Sequence, residues 1–276
     1  MCKKFTAILL LLLSSAMTLP AQAQQESFSV GVVPQFEARK LHAIWRPILD
    51  RLEQATGYHF ELRGSPTIPE FEREFMSGLY DFAYMNPYHL VIANEKTGYL
   101  PLVRDQGRRL YGVLVVSKES GIKSPAELND RIIAFPAPNA LGASLMMRQE
   151  LTDTFKIHFT PHYVKTHDSV YLNVLLKQAS AGGGVQKTLN QQKQTYRDHL
   201  VVIHETEKVA PHPFVAHPRI SAEARQAIQQ AFIEIGSTEE GRALLAKIPM
   251  KQVGKADLSD YEPLKKMGLE RFYVAP

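Results

Sequence analysis

Two short segments hold the residue types best suited to bind a small polar ligand. The first reads Asp81-Phe82-Ala83-Tyr84-Met85-Asn86-Pro87-Tyr88-His89. A β-rich run leads into an aromatic, an amide and a proline at the first turn of a helix. In an α/β protein this places Tyr84, Asn86 and Tyr88 at the carboxyl end of a strand, where such folds bind ligands. The tyrosines offer flat apolar walls with polar tips, and Asn86 offers both a donor and an acceptor. The second segment reads Thr166-His167-Asp168-Ser169-Val170-Tyr171. A polar run before an apolar helix makes Asp168 or Ser169 the expected N-cap. His167 and Ser169 would add donors for an anion at the positive helix end.

Other chemistry is poorly supported. No G-x-S-x-G, S-x-x-K or H-E-x-x-H pattern occurs. His204-Glu205 begins like a zinc motif, but Lys208 stands where its second histidine would be. Gly182-Gly183-Gly184 lacks the lysine and hydroxyl of a phosphate-binding loop, and fits close backbone approach instead. His158, His162 and His167 are too loosely spaced to read as a metal site. No catalytic residue, metal or cofactor is expected.

The elements that must position these residues follow from periodicity. Residues 29–33, 58–62, 80–84, 100–103, 111–116, 131–135, 162–164 and 201–203 read as strands. Residues 41–55 place Leu41, Ile44, Trp45, Ile48, Leu49 and Leu52 on one helical face, and Gly57 stops the helix. Further helices are expected at 69–76, from 87, at 142–151, 169–179, 221–235 and 238–247, and near 261–267. Ser124-Pro125-Ala126-Glu127 is a capping box with proline at the first position. Strands alternating with helices argue for an α/β protein with largely parallel sheets. No low-complexity linker separates them, so two lobes would be joined by strands, with 112–117 and 201–207 as candidate crossovers.

The N-terminal residues bound the compartment. Lys3 and Lys4 precede the apolar run 8–13, and Ala21-Gln22-Ala23 follows Pro20. This is the pattern of a signal peptide cleaved after Ala23, with the mature chain starting at Gln24. The apolar run is too short to span a bilayer. The sole cysteine, Cys2, lies in that leader, so the mature chain has no disulfide or thiolate chemistry. The two leader lysines reduce the formal charge from +4 to +2, too little to argue for nucleic acid or an anionic membrane. A soluble, exported monomer is expected.

The order of motifs resembles the periplasmic phosphate/phosphite/phosphonate-binding protein family, solute receptors of ABC importers. The resemblance rests on Val30-Gly31-Val32-Val33-Pro34, Asp81-Phe82-Ala83-Tyr84, Gly112-Val113-Leu114-Val115-Val116 before Ser124-Pro125-Ala126-Glu127-Leu128, Pro138-Asn139, and His167-Asp168-Ser169. It implies a two-lobed type II periplasmic-binding-protein fold hinged at two strand crossovers, with ligand between the lobes. Residues 24–111 and 208–276 would form lobe 1, and 112–207 lobe 2. The implied ligand groups are Tyr84 and Asn86 from one lobe, and the Ala140, Leu141 and Gly142 turn with His167 from the other. The family's Ser-Thr-Ser run, whose hydroxyls wrap a phosphonate, is here Ala140-Leu141-Gly142. Weaker phosphonate binding than in that family is therefore expected. The implied function is delivery of a small anion, phosphonate- or phosphate-like, to an ABC permease. Presentation to the periplasmic domain of a sensor histidine kinase is the alternative. An enzyme on the same fold is a third reading, opposed by export and by the missing nucleophile.

Overall fold

The computed structural model describes residues 26–276, so the expected leader and its cleavage point lie outside the described residues. Eleven strands form two mixed sheets. The first has the order β11-β4-β10-β3-β1-β2. Its strands are β1 (Ser27–Val32), β2 (His59–Gly64), β3 (Phe82–Tyr84), β4 (Leu100–Asp105), β10 (Phe214–Ala216) and β11 (Val253–Lys255). The second has the order β7-β6-β8-β5-β9. It comprises β5 (Gly112–Ser117), β6 (Arg131–Phe135), β7 (Phe159–Tyr163), β8 (Ala181–Val185) and β9 (Leu200–Glu205). In the first sheet β10 and β11 run against their neighbours, and in the second β5 does. The remaining strands of each sheet run parallel.

The expected crossovers 112–117 and 201–207 are largely β5 and β9, which pair with each other inside the second sheet. The chain passes between the sheets at 106–111 and at 206–213. A bridge between Leu110 and Val209 ties these two passages together. The Thr206 amide donates to the Gly112 carbonyl at 3.0 Å, and the Gly112 amide to Thr206 Oγ1 at 2.8 Å.

Helices cover the sheets where the apolar stripe dictates. Helix α1 (Ala38–Thr56) buries Leu41, Trp45, Ile48, Leu49 and Leu52, and ends at Gly57 in the left-handed conformation (φ 74°). Helix α2 (Ile68–Met76) is capped by Thr67, and α3 (Pro87–Thr97) by Asn86. An aromatic core joins these elements in the first sheet. Phe82 stacks on Phe214 at 5.8 Å, and Trp45 lies 5.0 Å from Tyr84. In the second sheet Val113, Leu114, Val115 and Val116 are all buried, as a strand covered on both faces requires.

That sheet carries α4 (Met147–Asp153), α5 (His167–Leu175), α6 (Gln186–Asn190) and α7 (Gln194–Arg197). A π-helical turn over Leu141–Met146 precedes α4, where residues 142–151 read as one continuous helix. The chain returns to the first sheet through α8 (Ala222–Ser237), α9 (Glu239–Leu245) and α10 (Glu262–Lys265). Among the described residues no helix is long and apolar enough to cross a membrane.

The glycine triplet forms β8. A Cβ on Gly183 would lie 2.1 Å from the Ala143 carbonyl, and one on Gly184 would lie 2.2 Å from the Tyr171 hydroxyl. Only a strand without side chains lets the π-turn and α5 pack this closely.

Candidate functional site

Strand direction brings one edge of each sheet to a common boundary. In the first sheet the ends of β1, β3 and β4 lie beside the starts of β10 and β11. In the second, the ends of β6, β7, β8 and β9 lie beside the start of β5. Loops leaving carboxyl ends of parallel strands are where α/β proteins hold ligands. Contacts between 86 and 139 and between 72 and 139 show that the two edges face each other.

On the first sheet, Tyr84 ends β3 and is almost fully buried. Its hydroxyl donates to the Ile248 carbonyl at 2.8 Å, and its ring stacks on His212 at 5.5 Å. Burial raises its phenol well above the ordinary tyrosine range. Asn86 caps α3 by accepting from the His89 amide at 2.9 Å. Its amide nitrogen crosses the boundary to the Asn139 carbonyl at 3.3 Å. Tyr88 packs against Tyr273 at 5.9 Å, and burial pushes its phenol up to about 12.

On the second sheet, Ala140 is the N-cap residue of the π-turn, without a side-chain cap. Leu141 is 3% exposed and joins the first sheet's core together with Leu145 and Met146. Gly142 meets Gly112 so closely that a Cβ on Gly112 would sit 1.9 Å from the Gly142 carbonyl oxygen. His167 opens α5 with its Nδ1 buried and without a partner among the described residues. Burial drives its imidazole down to about 4, which the Asp168 charge only partly offsets, so it is neutral near pH 7.

Ser169 spends its hydroxyl on Thr166 Oγ1 at 2.8 Å and lines a surface depression with Asp168, Gln192 and Tyr196. The expected cap is corrected here. Thr166, not Asp168 or Ser169, is the N-cap, accepting from the Ser169 amide at 3.1 Å. Its extended backbone points the hydroxyl over the first turn, while Asp168 accepts from the Gln192 amide at 2.6 Å.

Near Asn86 the boundary is closed by a polar knot. Glu72 and His89 are wholly buried, 2.8 Å apart. Asn139 donates to both Glu72 oxygens, at 2.9 and 3.1 Å, and to the Val274 carbonyl at 2.8 Å. Its side-chain Oδ1 accepts from the Val274 backbone amide at 3.0 Å. Arg148 reaches the Pro138 and Phe272 carbonyls, both at 2.7 Å. Residues 272–274 thus fasten the Pro138-Asn139 turn.

The other part of the boundary is basic, and its residues were missed in the sequence. Arg108 follows β4, Lys251 precedes β11, Lys40 begins α1, His212 precedes β10 and Lys187 follows β8 by two residues. Burial lowers the Lys187 ammonium, and the charges of Arg108, Lys40 and Lys251 lower it further. Burial likewise drives His212 down to about 3, aided by His89, Arg108 and Lys187. Lys187 leaves the edge of the second sheet, while the other cations leave the facing edge of the first. His212 Nε2 lies 2.9 Å from the Gln35 side-chain amide. The signal that could have found them is position: each sits just beyond the same edge of its sheet.

This architecture is shared with solved proteins at low identity. A binding-protein component of an ABC phosphonate transporter from Pseudomonas aeruginosa superposes with TM-score 0.73 at 17% identity, covering 90% of this chain and 88% of its own. PhnD1 from Prochlorococcus marinus, in complex with methylphosphonate, gives 0.77 at 14%, covering 89% and 98%. A Xanthomonas citri protein bound to ATP gives 0.77 at 13%, covering 90% and 98%. These likenesses establish the type II periplasmic-binding-protein fold. Across residues 30–261 the sequence also matches the family described as "ABC transporter, phosphonate, periplasmic substrate-binding protein". Carrying that match over most of its length, the chain belongs to this periplasmic family of ABC transporter substrate-binding proteins.

Proposed function

We propose that this protein is exported, cleaved after Ala23, and holds a small phosphonate- or phosphate-like oxyanion between two lobes for an ABC permease. Lobe 1 comprises 24–111 and 208–276, and lobe 2 comprises 112–207. The protein acts by binding alone, without catalysis. The observation that carries this reading is the meeting of two strand-end edges with cations on both, Arg108 and Lys251 against Lys187. Of the ligand groups expected from sequence, Asn86 and Leu141 border this junction. Asn86 and the 140–142 turn lie at its closed part, and His167 adds a neutral imidazole at the end of β7.

The test is mass spectrometry of whatever the purified protein carries, followed by calorimetry with that compound. Recovery of a chemically unchanged anion, with smaller radius of gyration on rebinding, supports a hinged receptor. A chemically altered product would overturn binding without catalysis, and a neutral or cationic ligand would overturn the anion assignment. Uptake into vesicles bearing a permease separates delivery from presentation to a sensor histidine kinase, the alternative raised by the altered 140–142 turn.

A further inference from the structure

We infer that the anion carries several charges, as a condensed phosphate or a phosphate ester with more than one phosphoryl group does, and is held by Lys187, Arg108, Lys251 and Lys40. This rests on the reading of the boundary as an anion site and names the class of anion.

Four observations converge. The first is placement, since all four side chains start just beyond the facing edges of the two sheets. The second is charge balance. None of the ion pairs among the described residues involves any of the four. One acid at this edge, Asp105, is 1% exposed. Its carboxylate accepts from the backbone amides of Gly107 at 2.8 Å and Lys251 at 2.6 Å. The four cations have no ion pair among the described residues, and the Asp105 carboxylate is turned to backbone amides, so the basic side suits an anion that brings several charges.

The third observation is burial. Lys187 is half-buried beside other cations, an arrangement that is costly until a negative group enters. The fourth is the state of the alternative cradle. Leu141 fills the core, Gly142 abuts Gly112, and Tyr84 has given its hydroxyl to Ile248. The 140–142 turn offers an oxyanion no side-chain donor, whereas the basic side offers four cationic side chains.

Calorimetry on the full-length mature protein with methylphosphonate, inorganic phosphate, pyrophosphate and tripolyphosphate tests this at two salt concentrations. Affinity is expected to rise at least tenfold from phosphate to tripolyphosphate, and to fall as salt is raised. Lys187→Gln should weaken tripolyphosphate at least tenfold with unchanged circular dichroism, and Arg108→Gln should do the same. Lys123→Gln, which removes an exposed charge elsewhere, should change it less than threefold. Equal loss in Lys123→Gln would reveal non-specific attraction and overturn the assignment. Methylphosphonate binding as tightly as tripolyphosphate, insensitive to Lys187→Gln, would sink the multiply charged ligand while leaving the anion cleft standing. Failure of all four anions to bind would bring down the anion cleft as well.

Discussion

The boundary between the two sheets has two unlike parts. Around Asn139 it is buried and densely bonded, with Glu72 and Val274 meeting one polar side chain, His89 2.8 Å from Glu72, and Leu141 sealing the apolar side. Around Lys187 it is basic and lacks counter-charge. The first part is built for stability and the second gives stability up. Buried polar groups that bond one another rigidify a junction, whereas like charges held together await a partner.

Substitutions should separate the two. Asn139→Ala strikes the knot hardest, because it strips a buried carboxylate of a donor and frees both Val274 backbone groups. A loss of about 3–4 kcal/mol is expected in denaturant unfolding, and a loss under about 1 kcal/mol would show that the knot is not a stabilising junction. Leu141→Ala should cost about 2–3 kcal/mol through the cavity it opens between the sheets. A near-neutral result would mean that Leu141 is not a core residue of that junction.

Acid should act through two buried histidines. His212 and His167 are held at about 3 and about 4, below their ordinary 6.5. The unfolded chain therefore binds more protons between those values, and stability falls as pH drops from about 6.5 toward 4. His212→Gln should flatten the fall in melting temperature across that window, and an unchanged slope would contradict a buried neutral His212.

The smallest effect has the opposite sign. Lys187→Gln in ligand-free protein should leave stability within about 0.5 kcal/mol or raise it slightly, because it relieves repulsion. A clear destabilisation would mean that Lys187 already has a partner.

Much of the frame was legible in the sequence because large side chains at regular spacing wrote it. The stripe from Leu41 to Leu52 became α1, and Ser124-Pro125-Ala126-Glu127 formed its capping box. The strands missed were those without such spacing. β10 and β11 are three residues each, and β8 is mostly glycine, so its pairing is set by what packs over it. The first expected site segment was set at a strand end and the second at a helix start, where Tyr84 and His167 stand, yet their groups divide unevenly. Asn86 is spent on a cap and a cross-boundary bond, and Ser169 on Thr166. The cations escaped notice because they are scattered over some 200 residues and surface lysines are ordinary. Only the sheet order brings them to one edge.

Asp105 gives the basic part a further property. One carboxylate grips the backbone at Gly107 and at Lys251, so the loops bearing Arg108 and Lys251 are clamped to each other. Lys187 arrives from the opposite sheet and is not part of that clamp. In the proposed site, two charges on clamped loops and a third from the other sheet would act as a ruler with one sliding jaw. Such a device would grade anions by the distance between their charges as well as by their number. Asp105→Asn would slacken the fixed jaw, and discrimination between pyrophosphate and tripolyphosphate should blur before either affinity is lost.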